Sequence, residues 1–193
     1  ARERVIKMGE EPSTVHVTGC PSIDIADEVR KNPSLDFDPM GKYGGVGASL
    51  NVKDKYVVVM QHPVTTEYEL ARKHMTETLH AANDAGLPVL LFWPNVDAGS
   101  DGTSKSIRSF RENLAPKNMH FFKNMLPGDF LKLLVNSSCI IGNSSVAIRE
   151  CSFLGVPAVN IGTRQSKRER GSNVIDVDYD RNQILSAIRR QVE

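Results

Sequence analysis

Apolar positions along this chain fall into short unbroken runs separated by longer amphipathic stretches. Tyr56-Val57-Val58-Val59-Met60, Val89-Leu90-Leu91-Phe92-Trp93 and Cys139-Ile140-Ile141 contain no charged residue, the pattern of parallel strands buried on both faces. Thr14–Val17, Met119–Phe122, residues 155–161 and Asn173–Val177 read as further strands. Between the runs, apolar residues recur at helical spacing and predict helices over 2–8, 22–30, 66–85, 104–114, 129–136, 146–154 and 180–192. Residues 31–54 carry Pro33, Pro39 and four glycines with little periodicity. They predict a long surface excursion with at most one helical turn near Ala48.

Strands near 14, 56, 88, 119, 139, 157 and 174 thus alternate with helices. This predicts an α/β fold, a Rossmann-like parallel sheet with helices on both faces, as a single domain over 1–193. The run at 56–60 is continuously apolar and is expected in the middle of the sheet. Ligands bind such sheets at the carboxyl ends of the strands. His62, Asn95, Leu126, Ser144, Ser145 and Arg164 each follow a strand at that end.

The stretch Gly142-Asn143-Ser144-Ser145 joins a strand to a helix. Its glycine allows close backbone approach, and a serine there can cap the first turn, where N–H groups and the dipole favour an anion. Glu150 lies five residues past Ser145, ~7.5 Å along an α-helix, roughly the reach from a diphosphate to a ribose. Taken alone, these residues read as an ordinary capped helix after a buried strand. His62 is balanced between a functional group and a structural hydrogen-bonder, and Arg164 alone reads as a surface residue. His74 and His80 read as solvated. The fingerprints Gly-x-Gly-x-x-Gly after the first strand and Gly-x-x-x-x-Gly-Lys-Ser are both missing.

Composition sets outer bounds. The chain has 193 residues, 24 Lys plus Arg against 23 Asp plus Glu, and a net charge of +1, so neither nucleic acid nor an anionic membrane is an expected partner. Its three cysteines, Cys20, Cys139 and Cys151, are odd in number and far apart, which argues against a disulfide framework or a metal site and suits the cytoplasm. Lys105, Arg108 and Arg111 recur every three residues and read as a solvated helix face. The sequence begins at Ala1 in what reads as mid-helix, so a fragment is expected.

Four motifs together carry a resemblance: Gln61-His62-Pro63-Val64-Thr65-Thr66, Pro94-Asn95-Val96-Asp97-Ala98-Gly99, Gly142-Asn143-Ser144-Ser145 with Arg149-Glu150, and Gly162-Thr163-Arg164-Gln165. They resemble the hydrolysing UDP-N-acetylglucosamine 2-epimerases, in wording closest to the branch of the sialic-acid pathway. Thr18-Gly19-Cys20-Pro21-Ser22 and Gly171-Ser172-Asn173-Val174 fit as well, and residues 31–54 fit least.

The resemblance implies the carboxyl-terminal, UDP-binding half of a two-domain enzyme of glycosyltransferase-B type. Residues 1–20 are then the crossover from a missing amino-terminal domain, and the full-length enzyme is expected as a homo-oligomer. The implied reaction eliminates UDP from UDP-N-acetylglucosamine to give a glycal, then hydrates it to N-acetylmannosamine, without a cofactor. Carboxylates of the missing half would act as acid and base. Carried across by motif position, Ser144 and Ser145 hold the diphosphate, Glu150 the ribose, and Asn95, Leu126 and Arg164 other parts of UDP. His62 lies closest to the chemistry. Two alternatives stay open: a related UDP-diacetamido sugar as substrate, and a non-catalytic nucleotide-binding module of the same fold.

Overall fold

The computed structural model describes residues 1–193. The chain runs α1 (Arg2–Lys7), α2 (Pro21–Lys31), α3 (Pro39–Tyr43), β1 (Val46–Gly47), β2 (Val57–Met60), α4 (Ala71–Asp84), β3 (Val89–Phe92) and α5 (Ser100–Leu114). It continues through β4 (Met119–Phe122), α6 (Pro127–Val135), β5 (Cys139–Gly142), α7 (Glu150–Leu154), β6 (Ala158–Ile161), β7 (Val174–Val177) and α8 (Arg181–Val192). The seven strands form one sheet in the order β1-β4-β3-β2-β5-β6-β7, parallel except for β1.

β2 is the fourth of seven, as its unbroken apolar run requires. Its alternate residues feed two cores. Val57 and Val59 face Met75, Leu79, Ile107, Ile184 and Ile188 of α4, α5 and α8, whereas Tyr56 and Val58 face Val29, Leu131 and Leu134 of α2 and α6. Each such aliphatic side chain contributes about 1.5–3 kcal/mol on burial. The Tyr56 hydroxyl, fully buried, donates to the Leu133 carbonyl at 2.6 Å, which removes the cost of a stranded polar group. No helix is long and apolar enough to cross a membrane.

Several sequence expectations are corrected. Residues 14–17 form no strand: Pro12–Thr14 is a 3-10 turn, and the carbonyls of Pro12 and Val15 accept from Arg2 at 2.9 and 3.2 Å. The β-branched composition found no ladder partner, and Val17 is left 78% exposed. The seventh strand comes instead from the stretch expected as a surface excursion. There α3 packs through Tyr43, whose hydroxyl donates to Asp129 Oδ2 at 2.5 Å, and β1 pairs antiparallel with β4. No helical turn forms at Ala48, whose N–H donates to the Met119 carbonyl.

The helix expected over 146–154 is broken. Ser145–Ile148 is a 3-10 turn, Arg149 leaves helical geometry at φ −115° and ψ −81°, and α7 follows with five residues. At the break, the Arg149 guanidinium reaches Ser22 Oγ and, at 3.0 Å, Cys20 Sγ at the start of α2. His74 is not solvated: its ring stacks on Tyr179 with centroids 3.5 Å apart. His80, half-buried, meets Phe110 edge-on.

Candidate functional site

The carboxyl ends of β2, β3, β4, β5 and β6 surround a cleft of about 790 Å³. His62 from β2, Asn95 and Asp97 from β3, Lys123 and Asn124 from β4, Ser144 and Ser145 from β5, and Arg164 from β6 all line it. The chain reaches these positions because the five strands run parallel and so end on one rim. The strongest constraint is at Gly142, which pairs with Met60 at φ +132°, where a Cβ would overlap the Met60 carbonyl. Only glycine lets β5 run that close to β2 and deliver Ser144 and Ser145 beside His62.

His62 is held on three sides. Its N–H donates to Asn143 Oδ1 at 2.7 Å, its carbonyl accepts from Asn143 Nδ2 at 2.8 Å, and its ring Nδ1 accepts the Asn95 N–H at 3.2 Å. Accepting at Nδ1 leaves the proton of the neutral ring on Nε2. Burial, reinforced by the Arg164 charge and opposed by Asp97, lowers the imidazole pKa from 6.5 to about 4. The ring is therefore neutral at pH 7 and offers one N–H donor.

Arg164 donates from Nη1 to the Asn143 carbonyl at 3.3 Å, and its Nη2 lies 3.9 Å from Asp97 Oδ2. That separation is at the edge of an ion pair, so the guanidinium retains free donors. Lys123 makes no ion pair with any carboxylate. Two cations, two serine hydroxyls and an imidazole N–H thus border one hollow, a set suited to a polyanion such as a diphosphate. Ser144 caps the 3-10 turn by accepting the Val146 N–H at 3.5 Å. The turn and α7 are both short, so side-chain donors rather than a helix dipole supply most of the attraction.

Glu150 and Leu126 stand apart from this lining. Glu150 is 7% exposed; its Oε1 pairs with Arg149 at 3.4 Å, and its buried Oε2 has no partner. An unpartnered buried carboxylate oxygen is costly unless a ligand donor reaches it. Leu126 is 62% exposed at the start of α6, with its N–H 3.4 Å from the Tyr43 hydroxyl.

Sequence reasoning missed Lys123 and Asn124, and gave no role to Asp97 or to the supporting residues Asn143 and Gln165, which it met only as members of the motifs. The first two follow β4 at the same strand end that pointed to the others, so position alone was a usable signal. Asn143 and Gln165 are buried, and Gln165 Nε2 donates to the Asn143 carbonyl at 2.7 Å.

A family profile described as UDP-N-acetylglucosamine 2-epimerase matches residues 1–193. The UDP-N-acetylglucosamine 2-epimerase of Neisseria meningitidis serogroup B is 30% identical over 187 residues, covering 97% of this chain and 46% of that protein. The UDP-N,N'-diacetylbacillosamine 2-epimerase (hydrolyzing) of Legionella pneumophila is 28% identical over 189 residues, covering 98% and 48%. The chain spans about half the length of the curated relatives it matches. The Methanocaldococcus jannaschii UDP-GlcNAc 2-epimerase, solved with UDP-GlcNAc and UDP, superposes with a TM-score of 0.70 at 13% identity, covering 100% of this chain and 52% of that one. At that identity the likeness establishes the shared fold.

Proposed function

This chain belongs to the UDP-N-acetylglucosamine 2-epimerase family, and we propose that it is the UDP-binding half of a hydrolysing enzyme that converts UDP-N-acetylglucosamine to N-acetylmannosamine and UDP. The observation that carries this reading is the grouping of His62, Ser144, Ser145 and Arg164 around one cleft at the carboxyl rim of the sheet.

In the proposed reaction the proton on C2 of the sugar passes to a base, the C1–O bond to the diphosphate breaks, and UDP leaves with the bonding pair. Water then adds across the resulting double bond, hydroxyl to C1 and proton to C2 on the opposite face. The base and acid for these steps belong to the second half of the enzyme. This half binds the leaving group. Ser144 and Ser145 donate to the diphosphate, with Arg164 and Lys123 balancing its charge. Asn95 and the backbone near Leu126 meet other parts of UDP. A ribose hydroxyl supplies the donor that Glu150 Oε2 lacks.

His62 donates its Nε2 proton toward the bridging oxygen as negative charge builds there. A fixed donor in a dry site is most effective when aimed at charge that develops in the transition state. Replacing His62 with Ala in the complete enzyme is therefore expected to lower turnover ~100-fold or more while UDP affinity changes less.

A second substrate is favoured by one observation, the 28% identity to a hydrolyzing diacetylbacillosamine epimerase. Product analysis of the complete enzyme with UDP-N-acetylglucosamine and with the UDP-diacetamido sugar separates the two. N-acetylmannosamine plus UDP supports the first reading, a diacetamido sugar product supports the second, and no product from either leaves only a nucleotide-binding module.

A further inference from the structure

Asn143 has no role in the reaction described above, yet it hydrogen-bonds His62, Arg164 and Gln165. It is wholly buried. The β2–β5 ladder ends at the Met60–Gly142 pair, and one residue later the Asn143 N–H donates to the Met60 carbonyl at 3.2 Å. From there its side-chain amide takes the place of a strand. Oδ1 accepts the His62 N–H and Nδ2 donates to the His62 carbonyl, at 2.7 and 2.8 Å. The Asn143 carbonyl meanwhile receives Gln165 Nε2 and Arg164 Nη1. Histidine and arginine are thereby referenced to one residue, directly before Ser144.

We propose that Asn143 is the positioning residue for His62, holding its backbone from both sides so that the ring keeps Nδ1 on the Asn95 N–H and aims its Nε2 proton into the cleft. The role rests on the reading that His62 assists departure of the diphosphate. A primary amide suits it because one short, neutral side chain presents a donor and an acceptor side by side. An aspartate of the same size keeps the acceptor for the His62 N–H but sets a second oxygen against the His62 carbonyl. Small displacements matter here, because moving a reacting group by about 1 Å can cost on the order of 100-fold in rate.

Two readouts test this. Nitrogen-15 NMR of the histidine rings in this chain should show one neutral ring protonated at Nε2, assigned to His62 by its loss in His62→Gln. In Asn143→Asp and Asn143→Ala that signature should give way to averaged tautomers, while circular dichroism and UDP affinity stay near those of the parent. In the complete enzyme, Asn143→Asp should lower kcat by about 100-fold, and adding it to His62→Ala should lower kcat no further, since residues acting through one another are not additive. An unchanged Nε2 tautomer in folded Asn143→Ala overturns the proposal. So does a full Asn143→Asp effect that persists without His62. If His62→Ala alone retains parental turnover, the reading of the reaction fails instead, and the tautomer measurement then decides the case for Asn143.

Discussion

Gly142 lies directly across the ladder from Met60, at φ +132°, so close that a side chain on Gly142 would collide with the Met60 carbonyl. This contact brings the serine turn to His62. Gly142→Ala must both leave a conformation that L-residues avoid and push the central strands β2 and β5 apart, at a cost of roughly 3 kcal/mol or more. Urea unfolding is expected to show that loss, and a fall below about 1 kcal/mol would mean the two strand ends are not tightly apposed.

Protonation of His62 should set some of the acid sensitivity of the fold. Its pKa is about 4 when folded against an ordinary 6.5, so between these values the unfolded chain binds a proton that the folded chain does not. Stability is therefore full above pH 6.5 and declines as pH falls toward 4, by roughly 3 kcal/mol from this group. Unfolding at pH 7.5 and 4.5 should show a smaller difference in His62→Gln than in the parent. Equal differences would place the depressed titration elsewhere.

Glu150 offers a test through the ligand. If its unpartnered Oε2 accepts a ribose hydroxyl, UDP should bind more tightly than its 2',3'-dideoxy analogue by about 1.5–3 kcal/mol, the worth of hydrogen bonds to a charged group. Calorimetry on Glu150→Ala should find that preference gone. A preference that survives the substitution removes Glu150 from the ribose site.

Loss of Ser145 should act on the other end of the nucleotide. Ser145→Ala is expected to weaken UDP by about 1.5–3 kcal/mol and leave uridine binding nearly unchanged, because only the diphosphate is meant to meet the hydroxyl. An equal loss for both ligands would indicate a general disturbance of the turn.

The interior of the sheet was legible because strands buried on both faces must be apolar throughout, and 56–60, 89–92 and 139–141 are. Residues 14–17 have similar local chemistry but no partner, and local chemistry does not report pairing. β1 shows the converse. Its two exposed residues carry no pattern, and the segment is fixed against His120, whose ring lies between the Gly44 and Ala48 carbonyls with a nitrogen 2.9 Å from each. His62, Asn95, Ser144, Ser145 and Arg164 were legible from strand ends, since topology places the carboxyl ends of the parallel strands on one side. The break at Arg149 was not, because it arises where α2 meets the serine turn, a contact between residues more than 120 apart in sequence.

Binding of UDP to this chain tests the central claim most directly. Trp93 is the only tryptophan and lines the cleft, so its fluorescence reports occupancy without a label. Titration with UDP should give a saturable change, matched by calorimetric heat and abolished in Ser144→Ala/Ser145→Ala, with no sugar product formed from UDP-N-acetylglucosamine by this chain alone. Folded protein that neither changes its Trp93 emission nor releases heat at millimolar UDP would contradict the account.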